Sequence, residues 1–233
     1  MQNTVCELHF HTMESSYCGH VSAVDSIPLY KKNGYDLVCV TDHYNYDYFT
    51  EYRNGSISWS QAVEKRLLGY ETAKRVGDEC GVTVLLAAEF RFPDYSNDYL
   101  VYGITPEMML DHPELHELSL SEFSDFAKKN DIVVIQAHPF RYGQTIMPVK
   151  YIDGVEAYNS HPLHNAHNAV AEKYAELNNL IATAGQDFHQ YPAMLGCKTL
   201  FHGEIRSLSD LKTKLRSRDF EIIKPEHPAI YND

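Results

Sequence analysis

A chain of 233 residues, 44% of them apolar, is long enough to bury one sizeable core and fits a single barrel or layered α/β domain over residues 1–233. Its 20 basic and 32 acidic residues leave a formal charge of −12, which disfavours nucleic-acid binding through a basic face, although bound cations would cancel several acids. No apolar run is long enough to span a bilayer, and five scattered cysteines with no C-x-x-C argue against a disulfide framework and for reduced thiols in the cytoplasm.

The first expected strand, residues 5–12, carries His9 and His11 on one side and Phe10 on the other. Such a pair sets two imidazoles about 7 Å apart on a rigid support, as a metal ion requires. A strand starting this early leaves no room for a signal peptide. A turn over 15–20 leads to a helix from Ser22 to the stop at Asn33-Gly34. Residues 37–41 read as a buried strand ending at Asp42-His43, and the Tyr-, Asn- and Gly-rich segment 44–58 as a loop. Val63, Leu67, Tyr70, Ala73 and Val76 give helical spacing over 61–80, stopped by Gly81. Further strands are expected at 82–88, leading into Glu89 and Arg91, at 98–103, opened by Asp98, and at 132–137, closed by His138. A helix over 121–130, capped by Ser121, separates the last two. Strand 154–158 ends at Asn159 and His161, helix 163–178 follows, and strand 180–185 leads to Asp187 and His189. A short strand at 197–201 and a helix at 209–216 complete the pattern.

Alternation of helices with apolar strands predicts a parallel sheet covered on its faces, here a barrel of about seven strands. Polar residues recur at the strand ends, where the mouth of such a barrel holds its active site. His9, His11, His43, Glu89, Asp98, His138, Asp187 and His189 are all expected there, in a chain with 13 histidines. That many mixed nitrogen and oxygen donors suffice for two or three divalent ions and suit zinc, manganese or iron.

The ordered set His9-Phe10-His11, Thr41-Asp42-His43, Glu89, Gln136-Ala137-His138-Pro139 and Gly185-Gln186-Asp187-Phe188-His189 resembles the PHP (polymerase and histidinol phosphatase) superfamily. The resemblance runs from the first strand to about residue 200. It implies a distorted TIM-like (β/α)7 barrel, a two- or three-metal site at the C-terminal ends of the strands, and hydrolysis of phosphoesters. It further implies that His9, His11, Glu89 and Asp187 hold a first ion, that Glu89 bridges to a second bound by His138, and that His43 and His189 hold a third. Two positions depart from the pattern. Asp98 stands where many members have a histidine, and Tyr17-Cys18-Gly19-His20 stands where many have Ser-Asp-Gly. Cys18 or His20 would complete the third site.

Paired ions clamp phosphoryl oxygens and acidify water, which fits that chemistry. Asp42 is expected to orient His43 or a neighbouring ligand rather than to bind metal. A protonated His189 or His20 is a candidate donor to the leaving oxygen. Arg91 and Arg141, each close behind a ligand, are candidates for a substrate phosphate or for ion pairs. Asn159 and His161 are expected to line the mouth, and His164 and His167 a solvated helix face. Tyr44, Tyr46, Tyr48, Phe49, Tyr52 and Trp59 either cover the mouth or pack the loop down. The expected function is hydrolysis of a small phosphomonoester or nucleotide, with a nuclease acting on ends and a non-catalytic metal scaffold as alternatives. A related barrel hydrolase acting on C–N bonds would want a ligand lysine at a strand end, and none is seen. The expected partner is a small phosphorylated substrate, with nucleic acid disfavoured, no membrane and the oligomeric state open.

Overall fold

The computed structural model describes residues 3–191 and 196–226. In chain order its elements are β1 (Thr4–Phe10), α1 (Ala23–Lys32), β2 (Leu37–Val40), β3 (His43–Asn45), α2 (Thr50–Arg53), α3 (Trp59–Cys80), β4 (Thr83–Arg91) and β5 (Asp98–Tyr102). Then come α4 (Pro106–Asp111), α5 (Leu120–Lys129), β6 (Val133–Gln136), β7 (Gly154–Asn159), α6 (Asn168–Leu177), β8 (Ile181–Gly185), β9 (Lys198–Phe201), α7 (Leu208–Ser217) and β10 (Phe220–Ile223).

The sheet runs β10-β9-β1-β2-β4-β5-β6-β7-β8, with β3 paired to β4. It closes on itself just beyond β8. His11 N donates to Phe188 O and Phe188 N to His9 O, both at 3.1 Å. The other half of β1, Thr4 to Cys6, pairs with antiparallel β9. Two different segments thus share one edge of β1, and the result is a distorted, nearly closed barrel.

The expectation of a uniformly parallel sheet fails at β5, which is antiparallel to both β4 and β6. Only six residues, 92–97, connect β4 to β5, too few for the helical crossover a parallel pair requires. The reversal puts the start of β5, and with it Asp98, at the same end of the barrel as the finish of β4.

Alternate strand residues fill the interior below that end: Cys6, Leu8, Cys39, Leu85, Ala87, Leu100, Tyr102, Val133 and Ile135 pack together with Leu211 and Leu215 of α7. Their neighbours in sequence, such as Val38, Val84, Leu86 and Val101, face the surrounding helices.

Capping residues set most helix ends. Ser22 and Ser58 accept from Asp25 N and Gln61 N, and α3 ends at Gly81, whose φ of 77° is the left-handed turn that glycine takes without strain. For α5 the cap is Ser119 rather than Ser121, because Ser119 and Glu122 form a capping box. Helix α6 starts at Asn168, not 163, so His164 and His167 do not share a helix face. Segment 44–58 contains β3, a 3-10 turn and α2. Among the described residues no helix is long and apolar enough to cross a membrane, and all five cysteines are free thiols.

Candidate metal centre

Glu89, on the interior face of β4, is the hub. Its Oε1 lies 3.3 Å from His9 Nε2 and 3.4 Å from His138 Nε2, and its Oε2 lies 3.3 Å from His11 Nε2 and 3.0 Å from His43 Nδ1. Asp187 Oδ1 approaches His9 Nε2 at 3.3 Å, His11 Nε2 at 3.5 Å and His189 Nδ1 at 3.4 Å. Three donor groups result: His9 with Glu89 and His138; His9 with His11 and Asp187; and His11 with Cys18, His43 and His189.

Backbone irregularities aim these side chains. The β1–β2 register shifts between Glu7 and Phe10, so Leu8 and His9 both reach the interior although adjacent in sequence. Glu7 Oε1 accepts from His9 N at 2.7 Å and from Gln186 N at 2.9 Å, holding the bulge. A second shift falls between Glu156 and Tyr158 in β7. His138 and Asp187, just past β6 and β8, adopt φ of 29° and 53°. Each such residue costs about 1–3 kcal/mol, tolerated where the surroundings over-determine it.

A layer behind the donors fixes ring orientation. Glu156 Oε1 accepts from His9 Nδ1 at 2.9 Å, which leaves Nε2 turned toward Glu89 and Asp187. Asp42 accepts from Thr12 N (2.8 Å), Thr12 Oγ1 (2.7 Å) and Ser16 Oγ (2.6 Å). Ser16 Oγ in turn lies 3.4 Å from His11 Nδ1 and accepts from His43 N at 3.1 Å. Asp42 therefore acts on His11 and His43 through Ser16 rather than by direct contact. Helix α3 crosses so close that a Cβ on Gly69 would sit 2.0 Å from Thr12 Oγ1, so this position has room for glycine alone.

The charges are strongly displaced. Burial opposes a charge on His9, but Asp187, Glu156 and Glu89 outweigh it and hold its pKa well above the usual range. His11 rises to about 9 against burial, through Asp187 and Glu89. Burial likewise opposes charge on Glu89 and Asp187. The imidazoles of His43 and His9 for the first, and His9 with Arg141 for the second, nevertheless keep both well below the carboxylate range. His43 is pushed down to about 3 and His189 to about 4, chiefly by burial. Burial lifts Glu7 to about 8.

Divalent cations fit this arrangement. His9 Nε2, His11 Nε2, His43 Nδ1 and Glu89 Oε1 are buried without a hydrogen-bond partner. Leaving such atoms unpartnered costs about 1–3 kcal/mol each, and an ion between them would remove that cost. The donor mix of imidazole, carboxylate and one thiol suits transition metals.

Other expected residues lie at the edge. Asp98 forms a bidentate pair with Arg91 (2.7 and 2.8 Å), and its Oδ2 is 4.0 Å from His138 Nε2. Arg91 is thus occupied by a carboxylate. Arg141 Nη2 reaches Asp187 Oδ2 at 2.6 Å and Asn159 Oδ1 at 3.3 Å. His20 is exposed and joins none of the donor groups among the described residues; its backbone N donates to His189 O. His161 packs against His189 and His164, with ring centroids 5.4 and 4.6 Å apart.

The aromatic loop divides its labour. Tyr44 and Phe49 are buried with Phe90 and His116 under the half-buried Trp59, whereas Tyr48 stacks on Tyr17 and lies 5.6 Å from the His43 ring. Tyr46 is exposed beneath the Arg53 guanidinium and lines a cleft of about 730 Å³ with Arg91, Phe92 and Tyr95. Glu7, Thr12, Ser16 and Glu156 lie outside the strand-end pattern that marks the donors. A carboxylate inside an otherwise apolar strand is the signal that exposes Glu7 and Glu156.

No protein-family model and no curated protein matches the sequence. Solved structures do match in fold. A two-domain protein of Bacteroides vulgatus, containing a predicted PHP-like metal-dependent phosphoesterase, superposes with a TM-score of 0.70 at 16% identity, over 97% of this chain and 66% of that one. PsfC of Pseudomonas syringae gives 0.66 at 18% identity, over 97% and 93%. The lesion-specific endonuclease PfuEndoQ of Pyrococcus furiosus gives 0.62 at 15% identity, over 95% and 58%. The chain therefore has the distorted TIM-like barrel fold of these proteins, and spans about two thirds or less of the first and third.

Proposed function

We propose that the chain is a metal-dependent hydrolase of phosphoesters whose substrate is a small phosphomonoester or a nucleotide. The observation that carries this reading is the convergence of unpartnered imidazole and carboxylate atoms on Glu89 at the barrel mouth. In this reading His9, His11, Glu89 and Asp187 hold one ion, and Glu89 and His138 hold a second with Asp98 beside it. Bound divalent ions supply charge neutralisation for phosphoryl oxygens and an acidified water.

The chain's own residues do the rest. His9, His138 and Glu89 are almost wholly enclosed, while the side chains of His43, His189 and Arg141 are 14, 17 and 17% exposed, so substrate enters from their side. Arg141, braced by Asp187 and Asn159, offers a guanidinium fork to a phosphoryl oxygen there. Arg91 spends both Nε and Nη2 on Asp98, whereas Arg141 engages Asp187 and Asn159 through Nη2 alone, so Arg91 is better suited to fixing its carboxylate than to holding phosphate. Burial keeps His189 neutral near pH 7, so it serves as a lone-pair donor and not as the acid for the leaving oxygen.

The test is inorganic phosphate release from nucleotides, sugar phosphates and amino-alcohol phosphates with manganese or zinc, beside a chelator-treated aliquot. Metal-dependent release, lost in His43→Ala and Asp187→Ala, is the expected result. No release from any monoester or diester, with bound metal verified by elemental analysis, would overturn the reading. The similarity to PfuEndoQ favours a second reading, cleavage of nucleic acid, against which the charge of −12 weighs. Cleavage of a labelled oligonucleotide that falls steeply with salt would select it.

A further inference from the structure

We propose that Cys18, which stands where the resemblance leads one to expect a carboxylate, is a ligand beside His43 and His189 and biases that position toward zinc over manganese. The inference rests on the metal-dependent reading of the mouth but not on which bond is hydrolysed.

The ligand atoms of Cys18, His11, His43 and His189 all lie within 4.8 Å of one another; none of the four is a carboxylate, and the one that borders them, Glu89, meets them through His11 and His43. His11 is completely buried and its Nε2, which stands between this group and the Glu89–Asp187 side, has no hydrogen-bond partner, as expected of an atom that faces a cation. His189 Nδ1 donates to Asp187 O at 2.7 Å, so the Nε2 of that ring carries the lone pair. The turn that carries the sulfur is held in place rather than left to swing. Tyr48 hydroxyl accepts from Tyr17 N at 2.9 Å, which ties the Tyr48 ring to the backbone next to Cys18. Tyr48 itself is fixed by the stacked Tyr17 ring and by the Arg66 guanidinium 4.7 Å from its centroid.

Two imidazoles and a thiolate favour zinc, and manganese stands at the weak end of the divalent series for such donors. The groups built on Glu89 and Asp187 carry oxygen donors and lack that bias. His11 is shared with the His9–Asp187 group, and its single lone pair serves one ion. It either completes the soft site as a fourth ligand or leaves that position for a water or substrate oxygen.

Cobalt loaded into the metal-free full chain is the probe. A sulfur-to-cobalt charge-transfer absorption in the near ultraviolet is expected for wild type and for Cys80→Ser, and its loss for Cys18→Ser. Equal spectra for wild type and Cys18→Ser would overturn the proposal, as would an absence of the band in wild type at full cobalt occupancy. A second measurement needs no substitution: zinc, but not manganese, should slow alkylation of Cys18, read by peptide mass. Unchanged alkylation under bound zinc would overturn it equally. Both readouts are independent of turnover, so a protein that shows the band yet hydrolyses no phosphoester refutes the proposed activity and leaves this site standing.

Discussion

Replacing Glu156 with glutamine isolates the contribution of the layer behind the donors. The carboxylate accepts three hydrogen bonds: from His9 Nδ1 at 2.9 Å on one oxygen, and from His138 N at 3.0 Å and Asn159 Nδ2 at 2.9 Å on the other. Glutamine matches its shape but offers one accepting atom. If the amide NH2 faces His9, the ring must accept at Nδ1 and carry its proton on Nε2, the atom aimed at Glu89. If it faces the other way, two buried N–H donors lose their acceptor, at about 1–3 kcal/mol each. The first arrangement removes a ligand and the second distorts the turn that carries His138. Loss of such a carboxylate partner typically weakens metal binding about 10–100-fold. That corresponds to about 1.4–2.8 kcal/mol. Zinc affinity by competition with a chromophoric chelator reads the change directly, with circular dichroism establishing that the barrel is intact. A folded Glu156→Gln protein that binds zinc as tightly as wild type would refute the reasoning.

Gly69→Ala gains about 1 kcal/mol of helix propensity. It also forces a Cβ to within 2.0 Å of Thr12 Oγ1 and 2.4 Å of Asp42 Oδ2. Overpacking of about 1–3 kcal/mol outweighs the gain, so the urea midpoint should fall; a rise would contradict the close packing of α3 on this pair. His116, buried between Phe49 and Trp59, is lowered by burial from 6.5 to about 4. The unfolded chain therefore binds the extra proton first, and stability is lost as pH falls from about 6.5 toward 4. In His116→Phe that acid limb should be shallower in urea titrations across pH, and an identical slope would count against the assignment. Saturating zinc or manganese should raise the melting temperature, by the equivalent of about 2.7 kcal/mol at a hundredfold excess over Kd. A chelator should reverse the shift, and a melting curve indifferent to metal would remove the basis for the centre.

Much of the frame was legible because its signals are local. Runs such as Leu37 to Val40 and Val133 to Gln136, together with Gly81 after α3, mark strands and stops without reference to the rest of the chain. The strand-end residues were legible for a related reason, since His9, His11, His43, Glu89, His138, Asp187 and His189 all recur behind apolar runs. What escaped depends on partners far away. The bulge at His9 is held by Glu7 and Gln186, 179 residues apart; the carboxylate in an apolar strand marks Glu7 as unusual, but nothing nearby says that it braces a bulge. The reversal of β5 follows from the length of one connection, which apolarity alone does not weigh. His20 and Cys18 are equivalent candidates by position, and the turn that exposes one while pointing the other inward is closed by tertiary contacts with Tyr48 and His189. Ser119 and Ser121 both stand at the start of the helix, and only the spacing of three residues to Glu122 singles out Ser119 as the cap.

The seam where Phe188 meets β1 has a consequence for when the centre comes into being. His9 and His11 emerge near the beginning of the chain, and Asp187 and His189 flank the very residue that shuts the barrel against them. No nascent or truncated chain lacking residues 187–189 owns the full set of donors, however well its earlier strands have paired. A growing chain would therefore carry a half-set of imidazoles with weak metal appetite, and acquire tight binding in one step as the clasp forms. If the centre takes metal as proposed, capture would act as a proofreading event: the ion would be held by molecules whose first strand and 187–189 segment have already found each other.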